Sequence, residues 1–251
     1  MALVGALPAN EGGAKQAGGS TRKYLIYAIG EIALVVIGIL IALQINNWNE
    51  SRKSKKEFQQ SLLALSEDIK NDTSIIQSNI RSLERQVRAS TLLIPILESK
   101  NPKISDSLEF IQAFMVLSNA ANVDVNTEIW DEMRTSGVYK SYASPNLIRS
   151  IQEYYNRYQR TAKNWQNGYR NRIEMRELKY DFLSQGDLDS IRSEPSKIPS
   201  PSAFTAILNR PEVLTLTKSI KHTSSLFSNY FSRCKQEGEE VLQWLELESQ
   251  L

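Results

Sequence analysis

Residues able to do chemistry are scattered thinly along this 251-residue chain, and the most distinctive is Glu31. It is the one charge in a block from Tyr24 to Leu43 that is otherwise apolar. A carboxylate inside an apolar helix costs a few kcal/mol to insert into a bilayer, so it needs a partner, a proton or access to water. At 100° per residue, Glu31, Gly38, Ala42 and Asn49 fall on one helix face, with Val35 beside them. Gly38 and Ala42 form a small-xxx-small pair that lets two helix backbones approach closely. That face is the candidate for helix association, with a second copy or with another membrane subunit. The competing reading is a snorkelling or protonated Glu31 above an ordinary transmembrane glycine. Gln44, Asn46, Asn47 and Asn49 make a dense amide cluster that could cross-link helices or simply be solvated among headgroups.

A search for catalytic groups yields little. His222 is the one histidine, which excludes a multi-histidine metal site within one chain, and there is no HExxH or CxxC pattern. Cys234 lies between Arg233 and Lys235, but sequence neighbours on a helix do not point the same way, so a packed thiol is expected. As the one cysteine, it also excludes an intrachain disulfide. Neither GxxxxGK[ST] nor GxGxxG occurs, and no nucleophile elbow supports a serine hydrolase. Glu128, Asp131 and Glu132 share a helix face and could do acid–base work or hold a cation, although a solvated face is the plainer meaning. Tyr154, Tyr155 and Tyr158 with Trp165 could line a pocket, but at helical spacing such a set is more often core. The expectation is therefore no catalytic, cofactor-binding or metal site, and no enzyme. Thirty Lys+Arg against 28 Asp+Glu give a net charge of +2, which argues against a nucleic-acid surface.

The elements that must carry these residues read as helices. Tyr24 to Leu43 spans roughly 30 Å at 1.5 Å per residue, the thickness of a bilayer's hydrocarbon core. Tyr24, Tyr27 and Trp48 stand where interfacial aromatics would, with Arg22 and Lys23 before the block and Arg52, Lys53, Lys55 and Lys56 after it. A buried core helix rarely runs so long without a polar face, and Gln44-Ile45-Asn46-Asn47 offers no small-x-small cleavage site. The predicted organisation is a flexible Gly/Ala-rich leader over 1–22, a transmembrane helix over 23–49 and a water-facing helical domain over 50–251. In that domain Phe58, Leu62, Leu65, Ile69, Ile76, Ile80, Leu83 and Val87 form an amphipathic stripe. Its period, close to 3.6, predicts packing onto bundle partners rather than a strict coiled coil. Pro95 and Asn101-Pro102 mark the turn after it. Helices are predicted over 106–117, 127–136, 145–183 with a bend at Gly168, and 211–245 with Gly238 as a weak spot. Residues 186–202, with Pro195, Pro199 and Pro201, read as a loop. No strand pattern or internal repeat is evident.

Tyr24-Leu25-Ile26-Tyr27-Ala28-Ile29-Gly30-Glu31-Ile32, followed by Leu34 through Glu50, resembles the anchor signature of a family of uncharacterised bacterial single-pass membrane proteins. Thr127 to Gly137 and Asn146 to Tyr155 resemble that family's central pattern. The resemblance covers 22–251. It implies an inner-membrane protein with its N-terminus cytoplasmic and its C-terminal domain periplasmic, and it implies no activity. The combined expectation is an all-α chain, with one N-terminal transmembrane helix continuous with an antiparallel helical bundle. Its partners would be the lipid bilayer and a protein partner or homo-oligomer through the transmembrane helix, with no cofactor. The function expected is that of an interaction or scaffold protein, the alternative being a sensor or ligand-binding module that works through a partner subunit.

Overall fold

The first helix, α1, spans Ala17–Glu98, with Pro95 inside its final turn. The computed structural model describes the backbone of residues 17–249 except Asn122 and Val138, and side chains from Arg22 to Glu248 except those two and Asn167. The expected leader lies outside the described residues up to position 16, and from Ala17 the chain is helical. Proline in the last turn removes few backbone bonds, so Pro95 is tolerated and the helix stops just before Ser99 rather than at the proline. The chain divides into two units, Met1–Glu57 and Phe58–Leu251, which are described separately.

The first unit is helix. From Arg22 to Lys53 every described side chain is exposed, the apolar block included. Among the described residues this is the one helix long and apolar enough to cross a membrane, and none of its apolar window is buried within the chain. It is therefore not the core helix of a soluble fold.

The second unit is an antiparallel bundle of four arms. The first arm is α1 from Phe58 onward. The second is broken into α2 (Ser107–Leu117), an irregular link, α3 (Glu128–Ser136) and α4 (Tyr139–Tyr142). The third is α5 (Pro145–Gly168) followed by α6 (Arg170–Phe182). Helices α7 (Gln185–Ser193) and α8 (Pro201–Leu208) lead into the fourth arm, α9 (Pro211–Ser249). Cross-links fix the directions. Tyr154 meets Asp72 and Arg172 meets Gln86, so α5 and α6 run parallel to α1. Ser224 also meets Gln86, whereas a Cβ on Gly238 would touch Thr73 and Ile69, so α9 runs the other way. The second arm descends beside them, with Val116 and Asn119 at Gln86 and Tyr142 stacked on Phe58. No strand occurs among the described residues.

The buried faces show a pattern that the apolar residues alone conceal. On α1 the buried positions 62, 65, 69, 72, 76, 79, 83, 86, 90 and 93 alternate in steps of three and four, with Phe58 buried before them and Ile80 and Ala89 buried on their flank. On α9, positions 213, 217, 220, 224, 227, 231, 234, 241 and 245 are buried in the same steps, Gly238 fills the remaining slot, and Leu216 is buried on the flank. This is a heptad seam, the repeat of knobs-into-holes packing in bundles. The expected period of 3.6 is therefore corrected to 3.5. Polar residues at 72, 79 and 86, seven residues apart, occupy every second seam slot, and Gln86 is buried where Val87 was expected.

Two further expectations change. Residues 186–202 are not a loop throughout: α7 begins with a capping box in which Ser184 and Asp187 exchange side-chain and backbone bonds, and Pro201 opens α8 at a first-turn position. At Gly238 α9 runs on unbroken, and the missing side chain admits Thr73 and Tyr154.

Candidate functional site

The association face predicted on the anchor is exposed along α1. Glu31, Val35, Gly38, Ala42 and Asn49 lie within a helical arc of roughly 60°. A Cβ built on Gly38 meets nothing within 4 Å. Ala28, Glu31, Ile32, Val35 and Val36 line a shallow hollow on this surface. At its far end Asn46 donates to Glu50 at 2.9 Å. The face thus carries one carboxyl group, Glu31, about two turns from Gly38 and three from Ala42.

Within the bundle, two groups of buried polar residues form layers. One separates two apolar clusters. The first cluster runs to Leu83, Trp165 and Phe227, and the second begins at Ala89, Met175 and Ile220. Between them sits Arg172, 0% exposed. Its Nε and Nη2 donate to Gln86 Oε1 at 3.2 and 3.0 Å, and Nη2 also reaches Ser224 Oγ at 2.7 Å. Nη1 donates to the Gly168 carbonyl at 3.1 Å and to Thr223 Oγ1 at 3.3 Å. The guanidinium lies 4.5 Å from the centre of the Trp165 ring. Five hydrogen bonds thus use the five N–H donors of an arginine. Burial lowers its pKa to about 10, so it stays cationic at neutral pH, held by neutral acceptors and an aromatic face.

The second layer is acidic. Asp72, 3% exposed, accepts a 3.0 Å bond from the Tyr154 hydroxyl. Burial raises its pKa to about 6, the Tyr154 bond opposes the shift, and Asp68 and Asp124 add to it. Asp68, one turn earlier, is raised by burial and by Glu128 and Glu67, and its Oδ2 is buried without a hydrogen-bond partner. The buried Tyr155 hydroxyl likewise has none, and burial and the charges of Asp72, Asp68 and Asp131 push its ionisation upward. The Tyr158 hydroxyl reaches the Asp124 carbonyl at 3.0 Å.

The other sequence candidates fall as follows. Tyr154, Tyr155, Tyr158 and Trp165 are buried members of the core cluster. Asp131 pairs with Arg134 at 3.5 Å and accepts from Thr127 at 2.8 Å, while Glu128 and Glu132 are exposed. With Gln152, Tyr155, Asn156 and Gln159, the residues Thr127, Trp130, Asp131 and Arg134 line a cleft of about 200 Å³. His222 is exposed on α9. Cys234 is buried 3.5 Å from Thr161 Oγ1, and burial raises its thiol pKa. Among the described residues no group of three or more His, Cys, Asp or Glu side chains is placed to hold a metal ion. Arg172, Gln86 and Asp72 carry no local motif, since charged and amide side chains are mostly exposed. The usable signal was position: Arg172 lies one heptad after Trp165, and Asp72 and Gln86 sit in seam slots.

No curated protein matches the chain. No solved structure matches it either. Residues 31–174 match a family of unknown function (DUF6090), a stretch that begins at Glu31 and takes in Asp72, Gln86, Tyr154 and Arg172. That is more than half of the sequence, and the chain belongs to this family.

Proposed function

We propose that this protein is a single-pass anchor and scaffold of the bacterial inner membrane, whose transmembrane helix associates with a second membrane helix. The observation that carries the reading is the α1 surface itself. An apolar stretch long enough to cross a bilayer is exposed on all sides, and one carboxyl stands over Gly38 and Ala42. In lipid, Glu31 gains most from a hydrogen-bonding neighbour at close range, and the small residues permit that range. The N-terminus is cytoplasmic and the bundle periplasmic in this reading, and the role is binding rather than catalysis. A sensor acting through a partner subunit is the second reading, favoured by the buried ionisable layer and the polar cleft at Tyr155.

The test is purification of the intact protein from its host in mild detergent, with Glu31→Leu and Gly38→Leu beside the wild type. A stoichiometric partner or a homo-oligomer lost in both variants supports the association face. A monomer unaffected by either substitution overturns it.

A further inference from the structure

We propose that the Asp68–Asp72 turn of α1, packed against Tyr154 and Tyr155 of α5, is a proton-binding site that firms the bundle as the pH falls. Every element at this level brings acceptors or acids. Helix α1 supplies Glu67, Asp68 and Asp72, the link before α3 supplies Asp124, and α3 supplies Glu128 and Asp131. Helix α5 adds the three tyrosines. Helix α9 contributes Gly238, Cys234 and Glu237; Arg157 engages one oxygen of Glu237, the other is buried without a partner, and burial raises its pKa. The nearby cation Arg134 is paired with Asp131. Among the described residues, neither Asp68 nor Asp72 has a basic partner at ion-pair distance, and two buried oxygens, Asp68 Oδ2 and Tyr155 Oη, have no partner at all. A proton taken from solvent by this pair removes charge repulsion in a buried place. It also supplies a donor to a layer rich in acceptors.

The Arg172 layer shows what the acid layer lacks. There each donor has its acceptor, and no titration between pH 5 and 8 changes it. For Asp72 the folded pKa of about 6 lies above the ordinary value of 3.8. The folded state therefore binds more protons than the unfolded chain between those values. The stabilising contribution is fully present below about 3.8 and is lost as the pH rises through about 6.

The experiment is thermal unfolding of the full chain in detergent micelles between pH 8 and 5, followed by helical circular dichroism. It is paired with pH-difference infrared spectroscopy of the carboxyl C=O stretch. Wild type is expected to gain about 3–5 °C on acidification across this window. Asp72→Asn is expected to melt higher than wild type at pH 8, to flatten the profile and to delete the carboxyl band titrating near pH 6. Tyr154→Phe removes a bond that favours the ionised form, so it is expected to move that band's midpoint upward. A wild-type profile that Asp72→Asn leaves unchanged overturns the proposal, as does an infrared spectrum showing Asp72 ionised down to pH 5. Stabilisation of wild type by calcium at pH 8, absent in Asp72→Asn and unaccompanied by a carboxyl titration, would also overturn it in favour of a cation site.

Discussion

The anchor and the bundle place polar and apolar groups in opposite ways. In the anchor the apolar side chains are outside and one carboxyl group, Glu31, interrupts them. In the bundle the apolar side chains are inside, and Asp72, Asn79, Gln86, Arg172 and Ser224 interrupt them. Each exposed apolar side chain of the anchor forgoes about 1.5–3 kcal/mol of burial in water, so that surface makes physical sense only against lipid or another helix. Each polar seam residue of the bundle forgoes similar packing energy, so it must be satisfied locally or be responsive. The Arg172 layer is the satisfied kind. The Asp72 layer is the responsive kind.

The sharpest way to break this contrast is at Arg172. Arg172→Met is expected to destabilise the bundle by about 2–3 kcal/mol, since Gln86 Oε1 and Ser224 Oγ keep only the 2.7 Å bond between them and the buried network loses the other donors that closed it. Adding Gln86→Leu and Ser224→Ala should recover part of the loss, and denaturant unfolding of the single and triple variants measures both. A single variant as stable as wild type would show that the layer is not closed as described. Next in size, Asp72→Asn at pH 8 is expected to gain about 2 kcal/mol, the reverse sign for a buried polar residue of the same seam. Gly238→Ala follows. Its Cβ would stand 2.8 Å from Thr73 Cγ2 and 3.0 Å from Tyr154 Cε2, so crowding outweighs the gain in helix propensity and leaves a net loss of about 1 kcal/mol. Thr73→Ser in the same chain should relieve it, and a double-mutant cycle reads the coupling. Smallest is Lys218→Ala, which breaks a 2.6 Å ion pair with Glu98. Both partners are about half exposed, so the loss should stay below about 0.5 kcal/mol and shrink with added salt.

Much of the architecture is legible in the residues. The apolar block announces the long exposed helix. Asp106 caps α2 through the Glu109 N–H, Gly137 takes the left-handed conformation after α3, and Ser144-Pro145 opens α5 with a side-chain cap. Thr127 stands at the N-cap of α3 without a side-chain capping bond: its hydroxyl goes to Asp131, and its neighbour Asn126 accepts from the Glu128 N–H. The heptad was hidden because Asp72, Asn79 and Gln86 do not count as apolar, and removing every second slot of a 3.5 repeat leaves a ragged stripe. Helices α7 and α8 were hidden by their prolines and serines, although Ser184 and Asp187 carried a capping box and Pro201 a first-turn proline. The buried layers depend on which arms face one another, and that information is not local in the sequence.

The exposed apolar helix of α1 is expected to lie in a bilayer. Alkaline carbonate extraction of host membranes, followed by intact mass measurement of the protein recovered, addresses this directly. The prediction is a protein retained in the membrane pellet, with a mass that includes residues 24–43. A protein released into the supernatant, or one shortened to begin beyond Leu43, would contradict the anchor and identify the segment as a cleaved signal.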